Sequence, residues 1–271
     1  MTKKYIIVII LFVFIALSGC SSLTGLTQES KQDVLDNVSE NSENVSTVQM
    51  ETRFNVTSET VNGEMFYLQT NVTQSIDFEN NEYKQEGTSS SDLGYGERSR
   101  SIDEYYKDGT YYQEEPARND SETDVWTSSD QEFTSAVGDS EIVGFTNFSA
   151  EFRDSLEMEY NEDDNEYVFT SNLSNNSSRD ALINQMNEDG IAFIENGENL
   201  VNLINNPESG SVTMTVDADS YRITSFKITA IDSKPPDEAV ESVDFTFNST
   251  FSEHNESVSV TVPEEAQSSS E

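Results

Sequence analysis

The sequence predicts an α+β protein built on a single curved antiparallel β-sheet, a half-open barrel with helices packed on its concave face. Three observations predict it. Apolar and polar residues alternate with period two over long runs. Turn signals such as Asn62-Gly63 and Asp108-Gly109 separate neighbouring runs, so strand follows strand through hairpins. Helical spacing interrupts that rhythm at two places, and helices gathered at a few interruptions collect on one face of a sheet.

The chain begins with Lys3 and Lys4 ahead of an apolar run from Tyr5 to Leu17. Crossing a bilayer takes about 20 apolar residues, so this shorter run reads as the hydrophobic stretch of a signal peptide. Leu17-Ser18-Gly19-Cys20 then resembles the lipobox of prokaryotic lipoproteins. That resemblance implies a diacylated Cys20 thiol at the start of the mature chain, and two acyl chains anchor a protein stably to a membrane. A plain secretory signal followed by a chance cysteine is the alternative. Cys20 is the sole cysteine, so the fold has no disulfide to rely on. The expected division is a signal peptide at 1–19, a lipidated tether at 20–29, one domain at 30–266 and a disordered tail at 267–271. The expected place is the extracellular face of the cell membrane, with the lipidated Cys20 as the contact.

From Ser30 to Val45, the residues Val34, Leu35, Val38 and Val45 have helical spacing, with Ser30 as N-cap and Asp33 in the first turn. Two long strands follow. Val48, Met50, Phe54 and Val56 alternate with polar residues, as do Phe66, Leu68, Val72, Ile76 and Phe78 beyond Asn62-Gly63. Tyr83 to Glu86 reads as a shorter strand and the Ser- and Gly-rich Thr88 to Gly96 as a flexible loop. Arg98 to Gln113 forms a second hairpin around Lys107-Asp108-Gly109-Thr110, and Trp126 stands alone after a polar loop. Phe133 to Phe152 is ambiguous; a short helix there would turn Ile142, Val143 and Phe145 inward. Leu156, Met158 and Tyr160 start a further hairpin that returns through Tyr167 to Leu173. Ser178 is read as the cap of a helix with Leu182, Ile183 and Met186, and Ile191 to Ile204 as a second helical segment. Val212, Met214 and Val216 open the last sheet region. The return strand Tyr221 to Ile231 changes phase, which predicts a bulge near Thr224-Ser225. Val243, Phe245 and Phe247 begin the next strand, and Val258, Val260 and Val262 are read as the closing one.

The chain of 271 residues has 14 Lys and Arg against 52 Asp and Glu, a formal charge of −38. Such self-repulsion opposes compaction in dilute solution, and molar salt, where the Debye length is about 3 Å, removes most of it. Dispersed acid with scarce Lys looks like haloadaptation, as in a haloarchaeal protein. An acidic disordered chain is the alternative, and the clean strand alternation argues against it. Nucleic acid and anionic lipid headgroups are disfavoured as partners for such a surface. Asn55, Asn71, Asn147, Asn172 and Asn248 lie in N-x-S/T sequons and are candidate N-glycosylation acceptors for an exported chain.

The order of elements resembles the LolA/LppX-like lipoprotein superfamily. The matching parts are the lipobox, one helix, a strand from Ser46-Thr47-Val48, the tyrosine hairpin at Asp108-Gly109, Trp126, a mid-chain helical insert, the hairpin Val212 to Ile231 and the ending Val258 to Ala266. The resemblance implies a half-open β-barrel closed by helices and a cavity for lipid or an acyl chain.

Sequence supports no catalytic centre. His254 is the sole histidine and lies in a polar turn, which leaves little for a Ser-His-Asp triad. Carboxylate pairs are expected by chance at this acidity. Asn161 to Glu166 and Asp217-Ala218-Asp219 offer oxygen ligands without the spacing of a known calcium loop. The chain therefore reads as a non-enzymatic monomer with no cofactor, no metal and no nucleic-acid partner. What remains is the apolar sheet face of Met50, Phe54, Phe66, Leu68, Val72, Met158, Phe169, Met214 and Phe226, beside Tyr167 and Phe245. It is either a site for a hydrophobic ligand, with Met as adaptable surface, or an ordinary core filled by the helices.

Overall fold

The computed structural model describes residues 29–92, 94, 96–115, 125–133, 148–188, 204, 207–233 and 240–268. Its frame is one eleven-stranded antiparallel sheet. In chain order the strands are β1 (Thr47–Thr60), β2 (Met65–Asp77), β3 (Glu82–Asp92), β4 (Arg98–Lys107), β5 (Thr110–Glu115) and β6 (Val125–Asp130), then β7 (Glu157–Asn161), β8 (Glu166–Asn172), β9 (Ser209–Asp217), β10 (Ile223–Ser233) and β11 (Val240–Ser252). Their order across the sheet is β6-β5-β4-β3-β2-β1-β11-β10-β9-β8-β7. Two meanders, β1–β6 and β7–β11, are thus joined where β1 pairs with β11, and β6 and β7 are left as the edges of an open, curved sheet.

The hairpin between β1 and β2 turns where Asn62-Gly63 predicts it. Gly63 has φ +79°, a conformation favourable to glycine, and Gly63 N–H donates to the Thr60 carbonyl at 2.8 Å. Pairing then runs unbroken from Glu59↔Met65 to Thr47↔Asp77. The expected bulge in β10 is present, with a register shift between Ile223 and Ser225 that brings Phe226, Ile228 and Ala230 onto one face.

Helices α1 (Lys31–Ser42), α2 (Ala150–Ser155) and α3 (Asn176–Glu188) join the sheet in one hydrophobic cluster. Ser30 caps α1, its Oγ accepting from Asp33 N–H at 3.2 Å, and Val34, Leu35 and Val38 are fully buried. Lys31 Nζ donates to the Arg153 and Leu156 carbonyls at 2.7 Å each, and Arg153 pairs with Asp36, which locks α2 to α1. Gln185 on α3 accepts from Ser149 N–H at 2.6 Å and is itself buried.

Three expectations are corrected. The flexible loop expected at Thr88 to Gly96 is largely strand, because β3 continues to Asp92 in register with both β2 and β4. Ser178 is not the cap of α3; that helix starts at Asn176, where Asn175 Oδ1 accepts from Ser177 N–H at 3.0 Å. Val258 to Val262 is not a closing strand. It runs as an unpaired strap over the outer face into α4 (Glu264–Gln267), and its valines pack with Tyr105, Tyr112, Trp126 and Ala266 in a second small core. Lys107 Nζ fastens the strap by donating to the Val260 carbonyl at 2.8 Å. The lipobox, Ile142, Val143 and Phe145, and nearly all of Ile191 to Ile204, lie outside the described residues.

Candidate ligand-binding face

Strand parity and register decide which side chains share the helix-covered face. On β1 they are Val48, Met50, Thr52, Phe54 and Val56, and the partners of these residues on either side continue the rows. Toward β11 the rows are aromatic and aliphatic. Phe251, Phe247 and Phe245 are followed by Phe226, Ile228 and Ala230 on β10, then Met214 and Val212 on β9 and Phe169 on β8. Phe54 meets Phe245 edge-on at 5.5 Å and Phe226 meets Phe247 at 6.4 Å.

Toward β2 the same face changes character. The row nearest α1, Ile76–Tyr83–Tyr106–Tyr111, still belongs to the core. The next row is polar across four strands. Gln74 Nε2 donates to Gln85 Oε1 at 2.7 Å, Gln85 Nε2 to Glu104 Oε2 at 3.1 Å and Gln113 Nε2 to Glu104 Oε1 at 3.5 Å. Below it come Val72–Gly87–Ile102, then Thr70–Ser89–Arg100, then Leu68–Ser91–Arg98. Thr70 Oγ1 donates to Ser89 Oγ at 3.2 Å. Gly87 is required here: a Cβ on it would stand 2.1 Å from the Asn71 carbonyl and 2.8 Å from Val72 Cγ1. Burial, and then the nearby Glu104, raise the Tyr83 and Tyr111 hydroxyls well above the usual range.

The expected ligand-contacting residues therefore divide. Met50, Phe169, Met214 and Phe226 are wholly buried and Phe54 nearly so, while Met158 packs partly buried at the margin of the core. Phe66, Leu68 and Val72 are half-buried on β2, as are Val56 on β1 and Ile102 on β4. These five make the apolar strip that neither the helices nor the polar ladder fully covers. Open surface hollows among the described residues lie elsewhere and are polar. One, of about 400 Å³, is lined by Glu159 to Asp163, and another, of about 360 Å³, sits by Asp36 and Arg153 between α1 and α2.

Asn55, Asn71 and Asn248 point to the outer face from mid-strand, Asn172 is exposed at the end of β8, and Asn147 lies outside the described residues. Burial, and then Arg222, hold His254 below its ordinary pKa, and Arg222 donates to the His254 carbonyl at 3.2 Å. Asp217 spends its carboxylate on Ser220, whose backbone N–H and hydroxyl it accepts at 2.7 and 2.6 Å. Asn161 and Asp164 bond to each other across their turn. Among the described residues no group of three His, Cys, Asp or Glu is arranged to hold a metal ion, and no helix is long and apolar enough to cross a membrane. Sequence reasoning missed the ladder and the Arg98/Arg100 pair. Their same-parity positions on β2 to β5 were the available signal, and it is readable only once the registers between these strands are known.

Fold and site define a class: a single-sheet α+β protein whose helix-covered face is closed on one side and half-covered on the other. The chain belongs to the family of unknown function DUF6612, whose pattern it matches over residues 30–271. Among solved structures it is similar to LprF from Mycobacterium bovis at 9% identity and a TM-score of 0.41, covering 86% of this chain and 96% of that one. It is also similar to the LolA superfamily protein NE2245 from Nitrosomonas europaea, at 11% identity and a TM-score of 0.22, with coverage of 86% and 96%. No curated protein matches its sequence.

Proposed function

We propose that this is a lipid-anchored, non-enzymatic binding module of the outer cell surface that takes a lipid or other hydrophobic ligand on the strip formed by Val56, Phe66, Leu68, Val72 and Ile102. One observation carries the reading: on the β1–β4 part of the helix-covered face, these five neighbouring apolar side chains keep part of their surface in water. Covering that surface removes it from water, which favours binding by about 25 cal/mol for every Å² of apolar area buried. Cys20 supplies the membrane attachment in this reading.

The test is titration of the protein with N-phenyl-1-naphthylamine, a neutral dye that brightens in apolar surroundings. Saturable binding is expected, weakened by Leu68→Asn and unchanged by Glu157→Gln at the far edge. Absence of saturable binding overturns the proposal. For the anchor, Cys20→Ser is expected to release the protein from the membrane fraction.

A second reading has its own support. Met50, Phe169, Met214 and Phe226 show no exposed surface, as in a filled core without a ligand. A structural or interaction protein of the envelope would be built so, and it would not brighten the dye.

A further inference from the structure

We infer that Arg98 and Arg100 form an anion-binding subsite, so that the ligand of the half-covered strip is an amphiphile with an acidic headgroup. The inference rests on the hydrophobic-ligand reading above and specifies its chemistry. Basic side chains are scarce here, 14 against 52 acids, and most of those described are committed. Lys84 pairs with Glu86, Lys107 with Glu82 and Arg153 with Asp36. Arg179 is buried against the Leu173 carbonyl and Asn176, and Arg222 serves the His254 carbonyl. Arg53 and Lys227 lie on the outer face, to either side of Asn248.

Arg98 and Arg100 are different. They occupy alternate positions of β4, so both side chains rise from the helix-covered face, about 7 Å apart. Both are exposed, and among the described residues no carboxylate lies within ion-pairing distance of either. Two like charges side by side, in a chain with carboxylates in excess, are an unfavourable arrangement until an anion bridges them. The rows beside them grade from charge to oil. Arg100 stands opposite Ser89 and then Thr70, and Arg98 opposite Ser91 and then Leu68 and Val56. With strands about 4.8 Å apart, the step from Arg98 on β4 to Val56 on β1 spans about 14 Å. A headgroup gripped by the guanidinium forks therefore leaves its chain on Phe66, Leu68 and Val56. Planar, bidentate donation by Arg suits a carboxylate or a phosphate monoester.

A competing explanation is local. Pairing of β4 with β5 covers only Glu104 to Lys107, so the Arg98 end of β4 has an open side among the described residues, and charges on an open strand discourage edge-to-edge association. The experiment separates the two. Dansyl-undecanoic acid and its methyl ester are titrated by fluorescence into the full chain, in dilute buffer and in molar KCl. The acid is expected to bind about tenfold more tightly than the ester, equivalent to about 1.4 kcal/mol. The double variant Arg98→Gln, Arg100→Gln is expected to bring the acid down to the ester's affinity. Unchanged ester binding by that variant also reports an intact fold. Dodecanoate and dodecyl phosphate, used as competitors, tell a carboxylate head from a phosphate head. Equal binding of acid and ester by the unaltered chain overturns this inference while the hydrophobic site stands. Binding of neither overturns the site itself. A double variant that self-associates but still prefers the acid leaves only edge shielding for the two arginines.

Discussion

On either side of β1, the same face of the same sheet keeps its order by different chemistry. From β11 to β8, aromatic and aliphatic side chains are excluded from water beneath the helices, and the polar groups among them are few: the Thr52 and Ser249 hydroxyls pair at 2.6 Å, the Ser171 hydroxyl donates to Ser155 Oγ at 3.3 Å, and the buried Ser233 hydroxyl has no partner among the described residues. From β2 to β5, the middle rows exchange side-chain hydrogen bonds along Gln74, Gln85, Glu104 and Gln113. A surface that satisfies its own polar groups tolerates water. It does not need a lid, and the apolar strip at the boundary can stay half-open. The contrast teaches that one sheet can hold a dry wall and a wet wall without a break in its backbone ladder.

The contrast can be broken from either side, and the largest effect is expected on the dry side. Phe247→Ala removes a ring that is 2% exposed and packed on Phe226, and should cost about 3–5 kcal/mol in denaturant unfolding. Next comes Gly87→Val at the boundary, where the new side chain meets the Asn71 carbonyl and Val72; a loss of about 1–3 kcal/mol is expected, with weakened hydrogen-exchange protection in β2 and β3. On the wet side, Gln85→Leu leaves Glu104 and Gln74 each short of one partner and should cost about 1–3 kcal/mol, less than Phe247→Ala. If Gln85→Leu proves neutral, the ladder orders nothing and the contrast fails.

The smallest effect is a slope with pH. Burial raises the Tyr83 and Tyr111 hydroxyls in the folded chain above their value in the unfolded chain, with Glu104 adding to it. The stability this represents is complete below pH 10, about the ordinary tyrosine pKa, and is lost as pH climbs through the folded-state values, because the unfolded chain ionises first. Tyr111→Phe should therefore flatten the fall of stability above pH 10, as read from melting temperature against pH.

The long strands were legible because their residues alternate and their turns carry Asn-Gly or Asp-Gly. The phase change at Thr224-Ser225 was enough to place a bulge that the register contains. Two failures share one cause. Thr88 to Ser91 has few side chains to bury, so nothing in its composition asked for a strand; it becomes one because β2 and β4 flank it and satisfy its backbone. Val258, Val260 and Val262 alternate as a strand would, yet the alternation serves only to set valines onto Tyr105, Tyr112 and Trp126. Period two reports which side chains face a surface and says nothing of whether a neighbouring chain pairs with the backbone. The ladder escaped for another reason: Gln74, Gln85, Glu104 and Gln113 become neighbours only through the registers of three hairpins.

Glu29, at the threshold of the domain, accepts from the Tyr167 hydroxyl at 3.0 Å and from the Tyr221 hydroxyl at 2.9 Å. Burial and then this contact push Tyr167 up to about 12. The clamp fixes the leash at the end of the sheet where β1 starts. Were Cys20 acylated, the nine residue steps from it to Glu29 would reach about 30 Å at most, while β1 alone runs about 46 Å toward its far hairpin. On that proposal the clamp sits at the tethered end of the sheet, and Arg98 and the strip lie toward the opposite end. A ligand would then be held at the end of the sheet farthest from the clamp.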